Sequence, residues 1–151
     1  MSGIVVERLG LSRIAAMRDA LRLFADAFED EENFFATPPS DDYLRRLLSD
    51  PGFVLLSASI DGQVAGALSA YELRKYERER SEFYIYDLAV AEPFRRRSVA
   101  TALIEALKPI AAAAGGWVIF VQADRVDEPA VTFYRKLGVE EEPLHFDIPL
   151  D

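Results

Sequence analysis

FYIYDLAV (Phe83–Val90), AEP (Ala91–Pro93) and FRRRSVATALIEAL (Phe94–Leu107) form one unbroken stretch, and its reading decides the fold. The first segment is apolar and aromatic-rich, as a buried strand requires. The last repeats Val99, Leu103, Ile104 and Leu107 at helical spacing. Between them lies a turn carrying Arg95, Arg96 and Arg97. The first N–H groups of a helix have no internal partner, and the helix dipole adds partial positive charge there. Arginines at that end are electrostatically misplaced unless an anion answers them. Small residues at Ser98 and Ala100 let a phosphate approach the backbone. The junction is read as an anion site, with a phosphate-bearing ligand as its natural occupant.

Outward from this stretch, the 151-residue chain has the length of one domain, and residues 1–151 are read as a single domain with a real hydrophobic core. It holds no cysteine and one histidine, His145, which excludes disulfides and thiolate sites and argues against a metal centre. Acidic residues number 26 against 17 basic, a net charge of −9. That balance disfavours nucleic acid and favours a cationic partner through long-range attraction. The start, MSGIVVERLG, lacks the apolar run of a signal peptide, and no stretch approaches a membrane span. The expectation is a cytoplasmic protein with no membrane partner.

Taken in order, Ile4 to Arg8 reads as an edge strand. Ile14, Met17, Leu21, Phe24 and Phe28 mark one face of a helix preceded by Ser12 as its cap. An acidic run, Asp26 and Glu29 to Glu32, follows, either a solvated loop or a wall for a polycation. Ser40 caps a second helix with Asp41 and Asp42 in its first turn, and Pro51-Gly52 ends it. Two apolar runs flank Asp61-Gly62, the strongest short hairpin signal. Beyond Leu107, Trp117 to Val121 is a buried strand, and Glu128-Pro129 opens a last helix with Ala130, Phe133, Tyr134 and Leu137 on one side. Leu144, Phe146 and Ile148 then alternate with His145 and Asp147, as in a final strand. There is no repeat and no linker. The pattern is one α/β domain.

Three side chains carry candidate chemistry. Asp124 lies past the C-terminal end of a buried strand, where open α/β sheets place their sites, or is a turn residue. Tyr134 is a core tyrosine with a hydrogen-bonded hydroxyl or a site residue. Asp87 interrupts an apolar strand, so it requires a partner such as a nearby arginine, or it carries a shifted pKa.

The order strand, Leu88-Ala89-Val90, Arg95 to Ala100, helix, strand, then AVTFYRKLG (Ala130–Gly138) resembles the GNAT N-acetyltransferases. YIYDLAV, ATALI, VIFVQAD, DEPAV, KLGV and HFDI resemble one subgroup, the type I aminoglycoside 3-N-acetyltransferases. The resemblance implies a mixed, mostly antiparallel twisted sheet with splayed central strands and about four helices. It implies acetyl-CoA as cosubstrate, with no metal. Leu88, Ala89 and Val90 would hold the pantetheine and thioester, and the Val90 amide would face the thioester oxygen. Arg95, Arg96, Arg97, Ser98, Val99 and Ala100 would hold the pyrophosphate, and Tyr134 would receive the departing thiolate. Asp124 would orient and deprotonate the acceptor amine. Acetylation of an aminoglycoside, at the 3-amine, would confer resistance. Glu29, Asp30, Glu31, Asp124, Asp127 and Glu128 would bind this polycation through its ammonium groups, and a homodimer is expected. Two positions depart from the pattern: Ser98 stands where a glycine is usual, and Asp127 where an asparagine is. If position 98 has positive φ, serine is strained; if it is helical, its N–H still meets phosphate. A GNAT acting on a polyamine or peptide and a non-catalytic acyl-CoA-binding module are the alternatives.

Overall fold

The computed structural model describes residues 3–151, which divide into two compact units, 3–121 and 122–151. In the first unit, β1 (Ile4–Arg8), β2 (Phe53–Ile60), β3 (Gln63–Arg74), β4 (Ser81–Val90) and β5 (Gly116–Val121) form one sheet in the order β1-β2-β3-β4-β5. The first three pairings are antiparallel and the last, β4 with β5, is parallel. The expected mixed, mostly antiparallel sheet is present. Asp61 (φ 52°) and Gly62 (φ 77°) are both left-handed, the turn geometry that the Asp-Gly pair predicts between β2 and β3.

Three longer helices cover the sheet. On one face, α1 (Ile14–Phe28) and α3 (Asp41–Ser49) bury Met17, Leu23, Phe24 and Leu44 against Phe53, Leu55, Ala67 and Ala89. Burying a side chain of this size stabilises the fold by about 1.5–3 kcal/mol. The other face meets α4 (Val99–Ala113), whose Val99, Leu103 and Leu107 are buried. Its first turn lies so close to β3 that a Cβ on Gly66 would meet Val99 Cγ1 at 2.8 Å. With both faces covered, β2 is apolar at nearly every position instead of alternating.

Two local expectations change. Ser12 is not the cap of α1; Arg13 takes that place without a side-chain bond. The acidic run is not a plain loop, because α2 (Glu31–Phe35) forms within it and raises the helix count among the described residues to five. Asp30 accepts the Asn33 backbone N–H, Glu31 and Glu32 favour the first turn, and Phe34 packs on Phe24 and Phe28.

In the second unit, Glu128–Arg135 form α5, with Pro129 in its first turn and Asp127 accepting the Ala130 N–H at 3.3 Å. No strand forms over 139–151. Leu144, Phe146 and Ile148 are exposed, and His145 Nε2 meets its near neighbour Asp147 at 2.9 Å. Alternation states which face a strand would bury; it does not supply the neighbouring strand needed to satisfy the backbone. Among the described residues, no helix is long and apolar enough to cross a membrane.

Candidate active site

The site begins with a hydrogen-bond ladder that stops. β4 pairs with β5 from Ser81 opposite Gly116 to Ile85 opposite Val121 and no further. On its other edge β4 stays paired with β3 to the end, through a bulge: Ser69 faces Asp87 and Ala70 faces Ile85, leaving Tyr86 as the extra residue. Beyond it, Asp87 N–H donates to Ser69 Oγ and Ala91 N–H to Ala65 carbonyl oxygen, so odd-numbered residues turn their backbone groups toward β3. By alternation Leu88 and Val90 turn theirs to the open edge. The expected splay is therefore built from one bulge and one ended ladder.

The chain leaves β4 through a 3-10 turn, Glu92–Phe94, and enters the arginine loop. Arg96 (φ 63°) and Ser98 (φ 64°) are both left-handed, and Val99 starts α4. Alternating hand in a short loop turns successive N–H groups inward and forms a concave anion nest ahead of the helix N-terminus. Position 98 thus has the positive φ that explains a glycine preference, and serine sits there under strain. Arg95 Nε donates to Val90 carbonyl oxygen at 3.3 Å, and Arg97 lies over the Phe94 ring at 5.6 Å. A cleft of about 500 Å³ adjoins this turn, lined among others by Arg22, Asp26, Val90 and Arg95. These features fit a diphosphate at the loop and an extended amide-bearing chain along the edge of β4.

Several predicted acceptor residues already have structural partners. Asp30 caps α2 and also receives the Asn33 side-chain amide at 2.8 Å. Glu31 pairs with Arg22 at 3.0 Å, and Arg22 stacks on Phe35. Glu29 is the exposed left-handed residue after α1. In the second unit, Asp127 caps α5, and Asp124 and Glu128 are exposed. Tyr134 is half-buried on α5, and burial, with the Asp127 charge second, pushes its phenol up to about 12.

Sequence reading did not find what lies on the α1/α3 face of β4. Tyr71 and Tyr84 face each other across β3 and β4, and both rings meet Tyr86 edge-on at 6.0 and 5.8 Å. Tyr84 also stacks on Phe120 of β5 at 4.7 Å. Asp87, opposite Ser69, points to the same face, because Ser69 is two residues from Tyr71. Of the two alternatives for Asp87, an arginine partner or a shifted pKa, the second holds: among the described residues it forms no ion pair, and burial pushes its carboxyl up. The signal available in advance was the pair of tyrosines at 84 and 86; the bulge that brings Asp87 beside them left no mark in the sequence. Among the described residues no cluster of three or more metal-ligating side chains occurs.

The family model for the acetyltransferase (GNAT) family matches residues 17–139. An aminoglycoside acetyltransferase, HMB0005, from an uncultured soil metagenomic sample is 52% identical, with 99% of each chain covered and a TM-score of 0.96. A second from such a sample, meta-AAC0020, solved in complex with sisomicin, is 33% identical over 98% of this chain and 97% of that one, with a TM-score of 0.90. Aminoglycoside N-acetyltransferase AAC(6')-Iy in complex with CoA shares the fold at 18% identity and a TM-score of 0.78, covering 100% of this chain and 97% of that one. No match was found among curated proteins. An open-edged strand feeding an anion nest is thus the arrangement of a known enzyme fold, and the chain belongs to the GNAT acetyltransferase family.

Proposed function

We propose that the chain is an acetyl-CoA-dependent aminoglycoside N-acetyltransferase acting at the 3-amine, a cytoplasmic resistance enzyme working as a homodimer. One observation carries the reading: the open edge at Leu88 and Val90 runs directly into the nest at Arg96 and Ser98. The similarity to two aminoglycoside acetyltransferases supports the acceptor class.

Acetyl-CoA supplies the acetyl group as a thioester. Arg95, Arg96, Arg97 and the N–H groups of Ser98, Val99 and Ala100 hold its pyrophosphate. Leu88, Ala89 and Val90 align its pantetheine, and the Val90 N–H donates to the thioester carbonyl oxygen as negative charge develops there. The acceptor nitrogen forms its bond to the acetyl carbon as the carbon–sulfur bond breaks. Asp124 orients the amine and takes its proton. Tyr134 donates a hydrogen bond to the departing sulfur; a phenol near 12 stays protonated throughout the neutral range. Glu29, Asp30, Glu31, Asp127 and Glu128 add carboxylates for the remaining ammonium groups.

The test is thiol release from acetyl-CoA with sisomicin, kanamycin, spermidine and a lysine peptide, followed by NMR location of the acetyl group. Turnover confined to the aminoglycosides with acetyl on the 3-amine is expected. Turnover of the polyamine or peptide alone sinks the acceptor class, and donor binding without thiol release sinks the enzyme. Asp124→Asn is expected to lower turnover while leaving acetyl-CoA affinity within about twofold, as for a surface charge away from the donor. Full activity would move the proton to another acceptor.

A further inference from the structure

A donor buried without an acceptor is costly, and natural structures leave few of them. Among the described residues one side-chain atom is in that position, Arg80 Nε. Arg80 closes the charged connection between β3 and β4, at the end of these strands away from the arginine nest. Its guanidinium stacks on Trp117 at 4.3 Å, and its polar contact is a long one, Nη2 to Glu77 at 3.5 Å. The same carboxylate is shared with Lys75 Nζ at 3.9 Å, which also meets Glu82 at 4.0 Å. Arg74 has no ion pair among the described residues. These three cations line a cavity of about 300 Å³ with Glu72, Glu79, Ser81 and the C-terminal end of α4. Glu72 is engaged, accepting the buried Ser81 hydroxyl at 2.5 Å, while Glu79 is exposed. The last carbonyl oxygens of α4, at Ile110, Ala111 and Ala112, are answered by the N–H groups of Ala114 and Gly115, and that of Gly115 by Ser81 N–H. The lining thus sets three cations against one unengaged carboxylate.

We propose that this cavity is a second anion site, which takes a small multivalent oxyanion, a phosphate or a polycarboxylate, between the Arg74 and Arg80 guanidiniums and Lys75. Forked guanidiniums and a point-charge ammonium are the groups that recognise such ligands. A chain of net charge −9 repels anions at long range, so the affinity comes from this local cluster. The site is separate from the nest: the 15 residues of α4 set the two about 22 Å apart. A bound oxyanion ties the β3–β4 connection to the root of the β4–β5 ladder, which starts at Ser81 opposite Gly116. The proposal does not depend on the acetyltransferase reading.

Binding reads the site directly. The full chain is titrated calorimetrically with inorganic phosphate and with citrate, at an ionic strength held constant with chloride. The wild type is compared with Arg80→Gln, Arg74→Gln and Arg97→Gln. The last removes a nest arginine at the far end of α4 and reports any phosphate held there. Saturable binding is expected, weakened roughly 10- to 100-fold in Arg80→Gln, the range for a lost charge-assisted bond. Arg74→Gln should weaken it several-fold, and Arg97→Gln by under about twofold, as for a distant, independent site. Arg74 is exposed, so its variant keeps the test decisive if Arg80→Gln does not fold. Either anion binding in this pattern supports the site, and the tighter of the two identifies its ligand as phosphate or carboxylate. No saturation with either anion, wild-type affinity in a folded cavity variant, or a loss confined to Arg97→Gln overturns the proposal.

Discussion

Arg95 reaches back across the turn to hold the carbonyl oxygen of Val90 at 3.3 Å, so the anion loop is tied to the last residue of the open strand. Arg95→Ala removes that tie and one cation together. The acetyl-CoA KM is expected to rise about tenfold, the usual value of one charge-assisted bond. Because the side chain is exposed, unfolding free energy should change by under about 0.5 kcal/mol. Arg95→Lys keeps the charge without the fork and should recover only part of the affinity. Donor saturation curves for the two variants decide it; identical curves to wild type would remove Arg95 from the loop's work.

Ser98 holds a left-handed backbone that glycine adopts freely. Ser98→Gly should raise stability by up to about 1 kcal/mol. In a chain of this length that is a melting shift of about 2–4 °C. Calorimetry checks it. An unchanged or lower melting temperature would mean that flexibility gained by the unfolded chain outweighs the relief.

Tyr134→Phe keeps the ring and removes the hydroxyl. Turnover is expected to fall about 100-fold, within the range for a positioned proton-donating group, with acetyl-CoA binding preserved. With its phenol near 12, tyrosine ionisation should cause no loss of wild-type rate below about pH 10. A wild-type alkaline decline that persists in the phenylalanine variant belongs to another group. A phenylalanine variant with full turnover ends the assignment.

Asp87 gives an opposite-signed stability test. Burial raises its carboxyl pKa in the folded chain. An acid raised on folding binds its proton more tightly in the folded state, so stability falls as pH rises from the unfolded value through the raised one. Above that window the penalty is complete. Asp87→Asn should therefore melt higher than wild type at pH 7, and the difference should shrink toward pH 4 as the wild-type carboxyl protonates. The adjacent phenols of Tyr71 and Tyr84, both raised, stay neutral over this range. A variant less stable than wild type at pH 7 would show that the carboxylate has a stabilising partner.

The fold was legible where local chemistry decides it. The Asp61-Gly62 turn, the Ser40 cap and the run into α4 follow from backbone preference and apolar period. The anion reading of the loop came from three arginines at a helix start, and the glycine-like position of Ser98 follows from its left-handed backbone. What the sequence concealed depends on partners distant in the chain. The bulge at Tyr86 exists only through its pairing with Ser69 and Ala70, so the company of Asp87 could not be read from its neighbours. The alternation from Leu144 to Ile148 misled for the converse reason: it describes a face and says nothing of what covers it. Glu31 looked available until Arg22, nine residues earlier, closed on it.

That exposed C-terminal run has a consequence for behaviour in solution. Leu144, Phe146, Ile148 and Leu150 are exposed apolar side chains on a chain of net charge −9. Like-charged copies repel at low ionic strength, where the screening length is about 10 Å at 0.1 M, and much less at 1 M, where it is about 3 Å. The same salt weakens attraction between the acidic surface and a polycation. Ionic strength therefore acts in opposite directions on the two kinds of encounter: it favours contact between copies while weakening the long-range attraction of any polycation.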